Sequence, residues 1–115
     1  MRRARRAPPR KGLTEAQARA LVLAMPGVTE GEHMGHPDFR VRDKIFAGFN
    51  HARSMMNLKV APAALDAMVR ADPQTFQDVW AGRWVGVRLA RIGKPQLREL
   101  LADAWRATAP KTLLP

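Results

Sequence analysis

Two imidazoles and three carboxylates crowd the segment Glu30-Gly31-Glu32-His33-Met34-Gly35-His36-Pro37-Asp38. Such groups suit zinc, iron or manganese. Their spacing argues against a metal site: in an extended chain Glu30, Glu32, Met34 and His36 face one side and His33 the other, so a His33–His36 ligand pair needs a turn. His36 beside Asp38 resembles a general-base pair, but no nucleophile accompanies it. Ser54 is the single serine, Cys and Tyr are absent, and Thr14, Thr29, Thr75, Thr108 and Thr112 fall in caps, turns or the C-terminus. A hydrolytic triad is therefore not expected. Gly82 and Gly86 are separated by strand-like residues and no Gly-Lys-Ser/Thr occurs, so there is no phosphate loop. The expectation is a protein without catalysis, metal or cofactor, with Gly35-His36-Pro37 as a turn in which His36 bonds local backbone or faces a ligand.

Cations and rings remain. The 115 residues carry 20 Lys+Arg against 10 Asp+Glu, a net charge of +10. Arg2, Arg3, Arg5, Arg6, Arg10 and Lys11 all precede Leu13, so the remainder is far less basic than the pI near 11.6 suggests. Residues 1–12, with Pro8-Pro9, have nothing apolar to bury and read as a disordered basic tail. That tail is either an arm for phosphates or a solvated end, and no apolar segment follows it as a secretory signal requires. Residues 13–115 suffice for one domain. No apolar run approaches the about 18 residues of a membrane span. The absence of cysteine fits a reducing compartment, and a cytoplasmic location is expected.

The elements follow from periodicity. Thr14-Glu15-Ala16-Gln17 fits a capping box, and Ala18, Leu21, Val22 and Met25 share one face of a helix stopped by Pro26-Gly27. Residues 28–60 alternate instead, which predicts three antiparallel strands after a short edge strand at Thr29–Met34. Phe39 and Val41 oppose Arg40 and Arg42; Ile45, Ala47 and Phe49 oppose Phe46 and Gly48; Met56, Leu58 and Val60 oppose Met55, Asn57 and Lys59. Asp43-Lys44 and Asn50–Arg53 read as connections. Pro62 opens a second helix with a Leu65, Met68, Val69 stripe, ended by Asp72-Pro73. Residues 74–82 are ambiguous, with Phe76, Val79 and Trp80 expected against the core. Val85, Val87 and Leu89 then oppose Trp84, Gly86 and Arg88. Leu97, Leu100, Leu101, Ala104 and Trp105 form the third helix's stripe.

Strands grouped between helices predict a two-layer α+β domain, its antiparallel sheet carrying helices on one face. The other face would hold Arg40, Arg42, Asn57, Lys59 and Arg88, with Met55 and Trp84 among them. Cations beside a flat ring suit nucleic acid, charge for phosphates and ring for stacking. The same pattern describes an ordinary solvated sheet face, and Trp84 either stacks or packs over Met55.

The ordered pieces Met25-Pro26-Gly27-Val28-Thr29-Glu30, Gly35-His36-Pro37-Asp38-Phe39-Arg40-Val41 and Lys44-Ile45-Phe46-Ala47 resemble the MmcQ/YjbR family of small bacterial proteins. So do Leu58-Lys59-Val60, Ala71-Asp72-Pro73-Gln74-Thr75-Phe76, Trp84-Val85-Gly86-Val87-Arg88-Leu89, Ala104-Trp105-Arg106 and Ala109-Pro110-Lys111. The resemblance implies a frataxin-like α+β fold and a DNA-binding role in which two hairpin wings grip the duplex. Carried over by motif, it marks His36, Arg40, Lys44, Lys59, Trp84 and Arg88; Arg42 joins them from the strand pattern. The expected partner is double-stranded DNA, bound chiefly through phosphates with little sequence preference and helped by the basic tail. The alternatives are a protein–protein adaptor working by strand addition and a small-ligand-binding domain. The iron binding of frataxin is not expected to carry over, because the first helix offers only Glu15 and Arg19 where an acidic ridge is needed.

Overall fold

A computed structural model describes residues 12–113; of the expected basic tail at 1–12, all but Gly12 lies outside the described residues. The chain enters through Gly12 and Leu13, whose amides donate to the carbonyls of Ile92 and Leu89. Helix α1 (Glu15–Leu23) starts at the expected capping box: Thr14 Oγ1 accepts from the Gln17 amide at 3.1 Å, and Gln17 Oε1 accepts from the Thr14 amide at 2.9 Å.

Four strands follow in two hairpins and their connections: β1 (Val28–His33), β2 (His36–Val41), β3 (Lys44–Asn50) and β4 (Met55–Lys59). Helix α2 (Pro62–Ala71), strands β5 (Phe76–Trp80) and β6 (Trp84–Arg88), and helix α3 (Lys94–Thr108) complete the order. All strand pairs are antiparallel, in the order β1-β2-β3-β4-β6-β5. The α+β reading therefore stands. One sheet face is closed by Ala18 and Val22 of α1, Leu65 of α2, and Leu97, Leu101, Ala104 and Trp105 of α3, packed on Phe39, Val41, Phe49, Met56, Leu58, Val85 and Val87. Trp105 also donates its indole N–H to the Pro26 carbonyl at 2.9 Å, which ties α3 to the end of α1.

Three features depart from simple alternation. Residues 74–82, ambiguous in the sequence, supply the sheet's sixth strand. In β3 the register shifts so that Phe39 faces Ala47 while Arg40 faces Ile45. Phe46 is the extra residue of a bulge. Phe46 joins Ala47 in the core, and Ile45 turns to the open face, the reverse of the expected pattern. In β5 a second bulge leaves Val79 unpaired between Asp78 and Trp80.

The three tight hairpin connections share one geometry. Met34-Gly35 and Arg42-Asp43 are two-residue loops. Ala81-Gly82 are the central residues of a turn closed by the Arg83 amide on the Trp80 carbonyl, in a three-residue connection. All six have positive φ, as type I′ turns require. This corrects two expectations. Arg42, at φ 51°, sits in a turn and not on a sheet face, and Lys44 is the first residue of β3, paired with Val41. His36 is likewise paired with His33 at the start of β2, one step past its turn.

Candidate nucleic-acid interface

Strand pairing fixes what lies on the face without helices. Met55 faces Arg88, Asn57 faces Gly86 and Lys59 faces Trp84 across β4 and β6, so all six share that open face, as the alternation predicts. Asp38 and Gly48, then Arg40 and Ile45, continue it across β2 and β3. Gln77 and Trp80 extend it onto β5. The Val79 bulge turns Trp80 outward, where it is 67% exposed; the expectation that it packs against the core is wrong. Its neighbour Trp84 is half-buried.

The cations divide into two groups. Arg40 is spent on its own strand: Nε and Nη2 donate to the two carboxylate oxygens of Asp38 at 2.9 and 3.0 Å. The hydrogen bond and charge of Asp38 hold that guanidinium more firmly protonated than usual. Asp38 is only 4% exposed, so Arg40 serves to neutralise a buried carboxylate. Gly31 on β1 makes room for the pair, since a Cβ there would lie 2.9 Å from Asp38 Oδ1 and 3.1 Å from Arg40 Nε. Arg88 is similarly engaged, donating to the Gln74 carbonyl at 3.0 Å and to Gln77 Oε1 at 3.2 Å. It clamps β6 to the start of β5.

The second group lies at one end of the sheet. β2 ends there, β3 begins, β4 ends, β5 ends and β6 begins. That end gathers Arg42, Lys44 and Lys59 with Arg83, a residue that strand alternation alone does not mark. Among the described residues none of these four has an ion-pair partner. From the end of β2 to the start of β6 they span three strand spacings, about 14 Å. The sequence signal for Arg83 is its place just after Gly82, at a hairpin tip.

A concave groove crosses the open face toward this end. It encloses about 490 Å³ between His33, His36 and Pro37 on one side and Trp80 and Trp84 on the other. Asn57 lies between these walls and also lines an adjoining hollow with Arg53 and Gln77. The Oδ1 atom of Asn57 is buried without a hydrogen-bond partner. His36 thus faces the groove, not merely a turn. Among the described residues no three His, Asp or Glu side chains gather as metal ligands, and no helix is long and apolar enough to cross a membrane.

The crystal structure of Deinococcus radiodurans protein DR2400, a DUF419 domain, shares this fold with a TM-score of 0.74. The two chains are 21% identical over 86% of this chain and 80% of that one. No curated protein matches the sequence. The family model YjbR matches residues 23–107, from the end of α1 almost to the end of α3, and the chain belongs to that family.

Proposed function

We propose that this protein is a non-catalytic nucleic-acid-binding module that grips its ligand through phosphates at the cationic end of the sheet. The observation that carries this reading is the set Arg42, Lys44, Lys59 and Arg83, unneutralised and gathered where the exposed Trp80 ends the groove. Arg40 and Arg88 have structural work and drop out of the phosphate-binding set. The hairpin tips supply charge, and among the described residues the helices close the other face of the sheet, so none is presented here as a recognition helix would be. Duplex DNA is therefore held with little sequence preference.

Anisotropy titration of a labelled duplex at several salt concentrations tests this. Each phosphate contact contributes about −0.9 to the slope of log K against log salt. Replacing Arg42, Lys44, Lys59 and Arg83 by alanine is expected to flatten the slope by up to about 3.6 if each contacts one phosphate. A quadruple variant with the wild-type slope overturns the proposal. A companion variant with Arg2, Arg3, Arg5, Arg6, Arg10 and Lys11 replaced by alanine measures what the N-terminal segment adds.

A further inference from the structure

The groove is more than the ground between charges. It holds the half-buried Asn57 amide, whose Oδ1 is buried without a partner, beside the paired Arg40–Asp38 and Arg88–Gln77. Orphaned polar atoms of this kind are rare and are costly to keep away from water. Replacing Asn57 by an apolar residue would remove that cost, so a ligand that meets the amide is its simplest explanation. At the same groove stands an indole ring 67% exposed, an unusual position for the largest apolar side chain. Volume adds a third constraint: about 490 Å³ falls within the range of small-ligand sites, about 300–1,000 Å³. An amide edge, an open aromatic face and a cationic rim match a planar heteroaromatic ring attached to phosphates.

Resting on the nucleic-acid reading above, we infer that the groove takes one unpaired nucleobase of a single strand. The base stacks on Trp80 against the Trp84 wall, and the Asn57 amide bonds its edge. Rotation of that amide lets it offer either a donor or an acceptor. The backbone phosphates on either side of the base then lie toward Lys59 and Arg83, which flank Trp84 and Trp80. A paired duplex keeps its base edges occupied and faces covered, so it receives only the phosphate contacts. Nucleic acid with an unpaired base is therefore the preferred form.

The test uses the full chain and a labelled 12-nucleotide single strand, its duplex with the complement, and free adenosine monophosphate. Wild-type protein is expected to bind the single strand more tightly than the duplex. Loss of base–aromatic stacking at Trp80→Ala is expected to weaken single-strand binding by about 5- to 150-fold while leaving duplex binding unchanged. Among the described residues the Asn57 side chain makes no hydrogen bond that Asn57→Leu would lose, and this variant is expected to act in the same direction. Unchanged duplex binding also shows that both variants fold. If both variants bind the single strand as wild type does, the inference fails while the phosphate reading stands. If wild type binds neither form, the phosphate reading itself fails. If adenosine monophosphate quenches tryptophan emission at the concentrations at which the strand does, the groove is a mononucleotide site and the commitment to a strand is overturned.

Discussion

Replacing Gly86 by alanine would put a methyl group into the floor beneath the groove. Gly86 pairs with Asn57 on β4, and the side chains of Met55 and Val79 close over its bare backbone. A Cβ there would overlap Met55 Cε, lie 2.7 Å from Val79 Cγ1 and reach 3.4 Å from Asn57 Oδ1. Met55 is 1% exposed, so its terminal methyl has little room to retreat. Overpacking of this kind costs about 1–3 kcal/mol. Alanine regains about 0.5–1 kcal/mol because glycine weakens a strand. The expected net loss is up to about 2.5 kcal/mol, with a fall in Tm of about 4–8 °C for each kcal/mol. Urea denaturation should show a lower midpoint at unchanged slope. Met55→Ala alone should destabilise by about 2–5 kcal/mol. In the double variant the two losses should fall short of additive by about 0.5–3 kcal/mol, because the deleted methionine vacates the space the new methyl needs. Strict additivity, or a Gly86→Ala protein more stable than wild type, would refute the packing argument.

Ala81→Gly should stabilise the β5–β6 hairpin, since Ala81 holds φ 54° in its turn. Left-handed backbone costs a non-glycine residue about 1–2 kcal/mol. Glycine's added freedom in the unfolded chain offsets about 0.4–1 of this, so thermal unfolding should report a gain of up to about 1.6 kcal/mol. The Asp72 carboxyl is held below its ordinary range, chiefly by a hydrogen bond from the Thr75 side chain. Its folded value is depressed, so its contribution is fully present above the unfolded pKa of about 3.9 and is lost as pH falls through the lower folded value. Urea midpoints measured from pH 6 downward should therefore fall less steeply below about pH 4 in Asp72→Asn than in wild type.

Much of the scaffold was legible because its signals are local. The Thr14–Gln17 capping box and the α3 stripe require only neighbours along the chain. The faces of β4 and β6 follow strict alternation, which placed Asn57, Lys59, Trp84 and Arg88 correctly. The misses lie where alternation breaks. Phe46 and Val79 are each one residue too many for a regular strand, and only the partner strand reveals the surplus. The first bulge exchanged Ile45 and Phe46 between faces; the second hid β5 and sent Trp80 outward. Met34-Gly35, Arg42-Asp43 and Ala81-Gly82 lack the Asn-Gly or Asp-Gly signature of such hairpins, so their positions slipped by a residue or more. For Arg40 the sequence supplied the cation but not its fate. Residues two apart on a strand lie on one face, and burial of Asp38 turned Arg40 from a surface charge into a counterion.

The surplus residue in β5 has a consequence of another kind. β5 is the last strand of the sheet, so its outer side presents backbone groups to any passing chain. Open borders of this sort invite strands from other molecules to add on. At Val79 the regular repeat of donors and acceptors is interrupted, and a strand approaching from outside would lose registry partway along a segment only five residues long. The irregularity that aims Trp80 at the groove thereby also guards the border against uncontrolled growth of the sheet.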